Sequence, residues 1–236
     1  MILRLCAIVL AGGRSTRMGT PKAALDWHGM PLLMRVAGIA GRVGDPVVVV
    51  GAPVEVELAP GMLRADDARP GRGPLEGLAA GMRAIGDRAD AALVTATDAP
   101  FLHPAFLLGV AAALDGHQVA VPVSGGREHP LAACWSLSAL GAIEDALAAG
   151  QLRVRSLLAE LDTVEVDATH LDHPESLRNL NTPEEYRAAL TEPLPLVTAE
   201  PGGPVHAAHL AAAELNGRPC GPGLVPLVSG DVVRLS

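Results

Sequence analysis

Two loops of this sequence concentrate the residues whose types and spacing could do chemistry. The first is the run 10–22, LAGGRSTRMGTPK, which carries three glycines together with Arg14, Arg17 and Lys22. Glycines let a backbone approach phosphates closely, and successive N–H groups can form an anion-binding concavity. Lys22 is the single lysine among 18 basic residues. Because lysine is a compact point charge and arginine a planar fork, we expect position 22 to require an ammonium that contacts phosphate.

The second loop is TDAPF, residues 97–101, which follows an apolar run and contains Asp98. A carboxylate at the end of a buried strand suits Mg²⁺, which takes one or two carboxylates together with substrate oxygens and water. An aspartate before Ala-Pro is alternatively a turn former. The run 10–22 is neither a P-loop, since no Gly-Lys-Ser/Thr follows, nor a Gly-x-Gly-x-x-Gly dinucleotide fingerprint.

Alternating strands and helices are expected to bring these two loops together. Apolar runs predict strands at 5–10, 46–50, 63–65, 91–97, 118–123, 131–135 and 164–166. Helical spacing predicts helices at 32–43, 75–85, 104–114, 137–149, 154–161 and 183–190, the last with Thr182 and Glu185 as a capping box. Such alternation predicts a mostly parallel sheet covered on both faces, with ligands bound beyond the carboxyl ends of its strands.

Composition excludes several classes of function. The chain has 236 residues, enough for one α/β domain or a domain with a short appendage. With 2% aromatic residues it lacks stacking platforms for single strands, and a net charge of −8 disfavours nucleic-acid or membrane partners. Three cysteines at wide spacing form neither a metal pattern nor a disulfide framework, so we expect a cytoplasmic protein. No stretch is long enough to span a bilayer.

The motif LAGGRSxRMGxxK resembles the signature of nucleotidyltransferases that activate small molecules with nucleoside triphosphates, and is most similar to that of the molybdenum cofactor guanylyltransferases. Further segments fit in order: GPLEG at 73–77, TDAPF at 97–101, EHP at 128–130, LRV at 152–154 and NLNTPEE at 179–185. The resemblance covers residues 2 to about 190. It implies a three-layer Rossmann-like nucleotidyltransferase fold that transfers GMP from GTP to Mo-molybdopterin with Mg²⁺ as cofactor.

The resemblance also implies roles for single residues. The expected catalytic residues are Lys22, Arg17 and Asp98, and Asp98 and Asn181 are the expected metal ligands. The expected nucleotide-binding residues are Leu10, Ala11, Gly12, Gly13, Arg14, Lys22, Asp66 and Asp98, with Asp66 accepting from the guanine N–H edge. His129 and Arg153 would lie toward the pterin. Two positions depart from the family pattern: Ala52 stands where an asparagine often faces the base, and Thr97 stands where a cysteine usually precedes the aspartate.

The division of the chain and its function leave alternatives open. We expect a nucleotidyltransferase domain at 1–190 and a Pro/Gly-rich appendage at 191–236, which forms either a helix and a small strand pair or a loosely docked tail. The alternative activities are cytidylyl transfer to molybdopterin and NTP transfer to another phosphorylated molecule. A non-catalytic pterin carrier is a third reading. Expected partners are GTP and Mo-molybdopterin, with transient contacts to molybdoenzymes or other cofactor-synthesis proteins.

Overall fold

The computed structural model describes residues 3–12, 21–66, 71–192, 198–200, 208–210, 213–220 and 223–235. Three of the predicted site residues, Gly13, Arg14 and Arg17, lie outside these ranges, so their roles stay predictions. None of the helices in the described ranges is both long and apolar enough to cross a membrane.

The main sheet runs through the first 167 residues. The strands up to that point are β1 Leu5–Leu10, β2 Asp26–Trp27, β3 Met30–Pro31, β4 Val47–Val50, β5 Leu63–Ala65, β6 Ala91–Ala96, β7 Val119–Ser124, β8 Arg127–Glu128, β9 Cys134–Ser136 and β10 Thr163–Asp167. The sheet has the order β10-β7-β9-β6-β1-β4-β5, with β8 beside β7, while β2 and β3 form a separate hairpin. Most neighbours are parallel, and β9 is antiparallel to both β6 and β7. The predicted, mostly parallel sheet is therefore confirmed.

Helices cover both faces of this sheet. They are α1 Leu32–Ala40, α2 Pro74–Ile85, α3 Pro104–Ala112, α4 Leu140–Ala148, α5 Val154–Leu158 and α6 Pro183–Leu190. Side chains of a strand alternate between faces. Ile8 of β1 accordingly packs with α2, α4 and α5, whereas Val9 packs with α1 and α3. The result is the predicted three-layer fold, with the β1 and β6 loops at the centre of one edge.

One predicted strand, 131–135, was wrong over its first half. Pro130–Ala132 forms a 3₁₀ turn, and the strand β9 begins only at Cys134. Proline has no N–H to donate to a sheet ladder and is favoured at the first position of a helical turn. The Trp135 indole N–H donates to the Pro130 carbonyl at 3.1 Å and closes the turn.

The described residues of the appendage form six strands and the turns between them. They are β11 Thr198–Glu200, β12 Ala208–Leu210, β13 Ala213–Leu215, β14 Arg218–Cys220, β15 Gly223–Val225 and β16 Val232–Leu235, in sheets of order β11-β16-β13-β14 and β12-β15. The helix of the first alternative is not found among the described residues of the appendage, where 208–210 and 213–215 are strands. Asn216 and Gly217 both have positive φ, 54° and 75°, as the tight hairpin turn between β13 and β14 requires. The appendage is not loosely docked either, since Leu227, Val228 and Val233 are buried.

Candidate functional site

The loops after β1 and β6 begin side by side at the carboxyl edge of the sheet. Leu10 pairs with Ala96 in the parallel register, and Thr97 donates to the Leu10 carbonyl from both its N–H, at 3.1 Å, and its hydroxyl, at 3.2 Å. The threonine that replaces the family's cysteine thus ties β6 to β1. The two loops predicted to carry the chemistry are brought together by the strands that precede them.

The backbone of residues 10–12 is fixed by the neighbouring strand β4. The N–H groups of Ala11 and Gly12 both donate to the Val50 carbonyl, at 2.8 and 3.2 Å. These two amides therefore point at protein, and this segment can offer a ligand its Cα surface rather than its N–H groups. The anion-binding concavity expected from the sequence stays a prediction, since residues 13–20 lie outside the described ranges.

Gly51, directly after β4, lets two backbones meet at this edge. Its φ is +69°, and a Cβ at this position would stand 2.9 Å from the Gly12 Cα atom. Sequence reasoning missed Gly51, although a glycine directly after four valines was a readable signal. The next residue, Ala52, is buried, and its carbonyl accepts from Arg64 at 2.6 Å. Arg64 thus rigidifies the loop in which the family's asparagine is replaced.

Asp66 lies at the same edge on an exposed position. The Gly51 N–H donates to the Ala65 carbonyl at 2.9 Å, and Asp66 follows Ala65 at the end of β5. Asp66 therefore follows the strand next to β4, which precedes Gly51, and β4 in turn lies next to β1. This location suits recognition of a base that lies over Gly12, and the role of Asp66 stays a prediction.

Three side chains from distant parts of the chain meet at the end of β6. The Lys22 ammonium donates to Asp98 Oδ2 at 3.0 Å and to Asn181 Oδ1 at 3.2 Å. Lys22 begins a short 3₁₀ turn, Asp98 follows β6, and Asn181 precedes α6. The side chains of Lys22 and Asp98 are 21% and 18% exposed, so the pair is sheltered yet reachable from solvent.

Asn181 is held in this position by the start of α6. The Leu180 N–H donates to the Asp98 carbonyl at 2.8 Å, and the Asn181 N–H donates to Glu185 Oε2 at 2.6 Å. Thr182 and Glu185 form the predicted capping box. Because Thr182 caps the helix, the Asn181 side chain is not needed as a cap and is available to Lys22 and to a ligand.

The oxygens of this cluster fit a hard divalent cation. Asp98 Oδ1 is buried and has no hydrogen-bond partner among the described residues, while Oδ2 accepts from Lys22. Carboxylate and amide oxygens are the donors preferred by Mg²⁺ and Mn²⁺. The described chain holds no cluster of three or more His, Cys, Asp or Glu side chains that could bind a metal. A metal at Asp98 would therefore complete its coordination with substrate oxygens and water.

A cleft of about 420 Å³ opens beside this cluster. Its walls include Ala99, next to Asp98, and Asn179, two residues before Asn181. The charged side chains of its lining are Arg127, Glu128, Arg153 and Arg155, and His129, Thr95 and Asn179 are its other polar residues.

The cleft carries an excess of positive charge. Three guanidinium groups face one carboxylate, because Arg155 lies 3.7 Å from Glu128 while Arg127 and Arg153 line the same space. Burial, followed by the nearby charges of Arg127 and Arg155, lowers the pKa of His129, so this imidazole is neutral near pH 7. His129 and Arg153, the residues expected to lie toward the pterin, both line this cleft, and Arg127 and Arg155 line it with them. Such a cleft suits a multiply charged anion.

Known proteins resemble this chain over most of its length. Residues 7–165 match the family described as "MobA-like NTP transferase domain". A protein of Rhodobacter capsulatus named "Molybdenum cofactor guanylyltransferase" is 35% identical over 189 residues, which cover 79% of this chain and 95% of the relative. A protein of the same name from Sinorhizobium fredii is 34% identical, with 78% and 89% covered.

Solved structures share the fold. The molybdopterin-guanine dinucleotide biosynthesis protein A of Archaeoglobus fulgidus superposes with a TM-score of 0.65 at 23% identity, covering 78% of this chain and 95% of that one. The 2-C-methyl-D-erythritol 4-phosphate cytidylyltransferase of Thermus thermophilus superposes with a TM-score of 0.62 at 18% identity, covering 80% and 98%.

Proposed function

Since the chain belongs to the MobA-like NTP transferase family, we propose that it is a molybdenum cofactor guanylyltransferase, which transfers GMP from GTP to molybdopterin and releases pyrophosphate. The observation that carries this proposal is the 35% identity to a relative of that name, of which 95% is covered. Within the chain, we assign catalysis to residues 1–190 and treat 191–236 as an appendage.

The site divides into three parts under this proposal. The nucleotide lies over the ends of β1, β4 and β5, where Gly12, Gly51 and Asp66 meet. The triphosphate lies beside Lys22, with Arg14 and Arg17 of the preceding loop as further phosphate contacts predicted from the sequence. The pterin phosphate enters the arginine-lined cleft next to Asp98.

No acid, base or protein nucleophile is needed for this reaction. A phosphate oxygen of molybdopterin attacks the α-phosphorus of GTP, the bond from that phosphorus to the bridging oxygen breaks, and pyrophosphate leaves with the electron pair. Both reactants are anions, so their mutual repulsion and the charge that develops on pyrophosphate oppose the reaction. Positioning and electrostatic stabilisation therefore supply most of the catalysis.

Different cationic side chains reduce the repulsion between the two anions and stabilise the charge that develops on pyrophosphate. The guanidinium groups of the cleft, including Arg153, hold the acceptor phosphate. The Lys22 ammonium, beside Asp98, contacts the triphosphate of GTP. We propose that Asp98 and Asn181 hold Mg²⁺, which when bound neutralises charge on the nucleotide phosphates. The buried Asp98 Oδ1 atom without a partner among the described residues supports this choice of ligand.

Pyrophosphate release tests the proposal when each of the four NTPs is offered with molybdopterin and Mg²⁺. We expect release with GTP at least about tenfold faster than with CTP, since a factor of ten is only about 1.4 kcal/mol of transition-state binding. Faster release with CTP would reassign the activity to cytidylyl transfer. GTP binding without any release in the presence of the pterin would instead indicate a carrier.

The acceptor assignment has its own test in the same assay. Arg153→Met should raise the KM for molybdopterin about tenfold or more and leave the KM for GTP unchanged, because the cleft contacts only the acceptor. The matched control is Arg83→Met, which removes an exposed arginine of α2 that pairs with Glu144 of α4 and does not line the cleft. An Arg153 variant with an altered KM for GTP alone would contradict the acceptor assignment.

A further inference from the structure

One turn of the appendage docks onto the catalytic domain. We call residues 226–231 the docking turn. Its conformation is fixed by Asp231, which is 4% exposed and accepts from the Val228 N–H at 2.8 Å and from the Asn216 side chain at 2.9 Å. The same carboxylate accepts from the two terminal guanidinium nitrogens of Arg42, at 2.9 and 2.6 Å. A paired, buried carboxylate of this kind defines one geometry for the turn.

The docking turn packs closely on α1 and α3. A Cβ at Gly38 of α1 would stand 2.7 Å from the Pro226 ring, so only glycine admits the proline at this distance. Val228 is 4% exposed and belongs to the same apolar cluster as Val36 of α1 and Leu107 of α3. The contact therefore has the packing of a domain core rather than that of a loose tail.

Arg35 of α1 connects this turn to the loop that carries Asp98. Its side chain is buried, with 9% exposed, and burial lowers its pKa to about 10. Within the described residues it has no carboxylate partner. It donates instead to two carbonyls, that of Pro100 at 2.7 Å and that of Leu227 at 3.4 Å. Pro100 lies two residues after Asp98, and Leu227 is part of the docking turn.

A second contact holds the far end of the same loop. The His103 ring lies 3.1 Å from the Ser229 carbonyl of the docking turn through Nε2, and its Nδ1 accepts from the Ala105 N–H at 3.1 Å. The loop 98–103 is therefore fixed by the docking turn at two points, Pro100 through Arg35 and His103 directly. The catalytic domain holds the same loop as well: Ser176 Oγ accepts from the His103 N–H at 3.1 Å and donates to the Phe101 carbonyl at 3.4 Å, and the Leu180 N–H donates to the Asp98 carbonyl.

We propose that Arg35 is a positioning residue and that the docking turn, through Arg35 and His103, holds the loop 98–103 so that Asp98 faces the metal and the triphosphate. The appendage then belongs to the working parts of the active site. About a fifth of this chain stays outside the match with the Rhodobacter capsulatus relative, of which 95% is covered. The proposal rests on the proposed role of Asp98 as a metal ligand.

The experiment compares full-length variants by two readouts, hydrogen exchange of the amides of 98–103 and binding of Mn²⁺ with GTP, followed by the electron paramagnetic resonance signal of free Mn²⁺. Arg35→Met should raise exchange in 98–103 about tenfold or more and weaken Mn²⁺ binding by a similar factor. Exchange in β1 and α4 should stay unchanged. Arg35→Lys, which can still donate to both carbonyls, should recover much of the loss. Arg83→Met is the matched control and should behave as the unchanged protein.

A second variant perturbs the docking turn and leaves the Arg35 side chain in place. Gly38→Val pushes Pro226 away without altering Arg35, and it should raise exchange in 98–103 and weaken Mn²⁺ binding in the same direction. It decides the question if Arg35→Met fails to fold. Unchanged exchange and Mn²⁺ binding in both variants would overturn the positioning role.

The failure of this inference is distinguishable from failure of the proposed function. If Asp98→Asn abolishes Mn²⁺ binding while the Arg35 and Gly38 variants retain it, the metal assignment stands and the positioning role is wrong. If Asp98→Asn leaves Mn²⁺ binding unchanged, the metal assignment is wrong, and the exchange readout still decides whether the docking turn fixes the loop.

Discussion

Lys22→Arg keeps the positive charge at position 22 and changes its shape, so it separates the need for an ammonium from the need for a cation. The Lys22 nitrogen lies 3.0 Å from an oxygen of Asp98 and 3.2 Å from an oxygen of Asn181, which belong to two different loops. A guanidinium is longer and planar, and it cannot place one nitrogen at the same point. A displacement of about 1 Å in an active site costs about 10²-fold in rate.

We therefore expect kcat/KM for GTP to fall about 10²-fold in Lys22→Arg, which is about 2.7 kcal/mol of transition-state stabilisation. Lys22→Met, which also removes the charge, should lose about 10³-fold. The thermal midpoint should change little in Lys22→Arg, which keeps a cation beside Asp98, whereas Lys22→Met leaves this sheltered carboxylate without its partner and should lower the midpoint.

The assay is steady-state pyrophosphate release at varied GTP and saturating molybdopterin, with circular dichroism to check that each variant is folded. Arg83→Met, which removes an exposed arginine outside the site, should retain full activity and serves as the control. A Lys22→Arg protein with unchanged kcat/KM would refute the argument that the single lysine is required for its shape. A Lys22→Met protein that is equally active would remove Lys22 from the site.

Three further variants test other parts of the site. Asp98→Asn should abolish metal-dependent turnover and leave the fold intact, and activity within about tenfold of the unchanged protein, about 1.4 kcal/mol, would contradict the metal assignment. Gly51→Ala should weaken GTP binding in a calorimetric titration, because its Cβ would stand 2.9 Å from the Gly12 Cα atom, whereas Gly86→Ala has a similar φ of +61° with open space around it and should affect stability alone. Burial lowers the pKa of His103, so the unfolded chain takes up the proton at a higher pH than the folded protein does. The free energy of unfolding should therefore fall as the pH drops below about 6.5. Urea unfolding at several pH values should show a smaller fall for His103→Asn.

Local signals were sufficient for much of the fold. The strand Leu5–Leu10, the short strand Leu63–Ala65 and the helix Pro183–Leu190 have the predicted bounds, because an apolar run that ends in Gly-Gly and a capping box each mark an end in the sequence. In the appendage a small strand pair was one of the expected alternatives, and the further strands were not predicted. Alanine-rich segments of this kind have no strong periodicity, and pairing partners rather than local propensity decided their structure.

The site could be predicted only in part for a similar reason. Lys22 and Asp98 follow from residue type and from the order of the strands, since parallel neighbours carry their loops to one edge. Asn181 was identified by resemblance alone. It lies 83 residues after Asp98 in the sequence, and only the packing of α6 brings its side chain to Lys22 beside Asp98. The role of Arg35 had no signal at all, since an arginine in an otherwise apolar helix shows its carbonyl partners only in the fold.

Calorimetric titration of GTP and of CTP, each with Mg²⁺, tests the proposed guanylyltransferase most directly. We predict a single site for GTP and binding of CTP weaker by about tenfold or more, equivalent to about 1.4 kcal/mol. Asp98→Asn should weaken the Mg²⁺-dependent part of the GTP affinity. Tighter binding of CTP than of GTP would contradict the proposed activity, whatever the behaviour of the Asp98 variant.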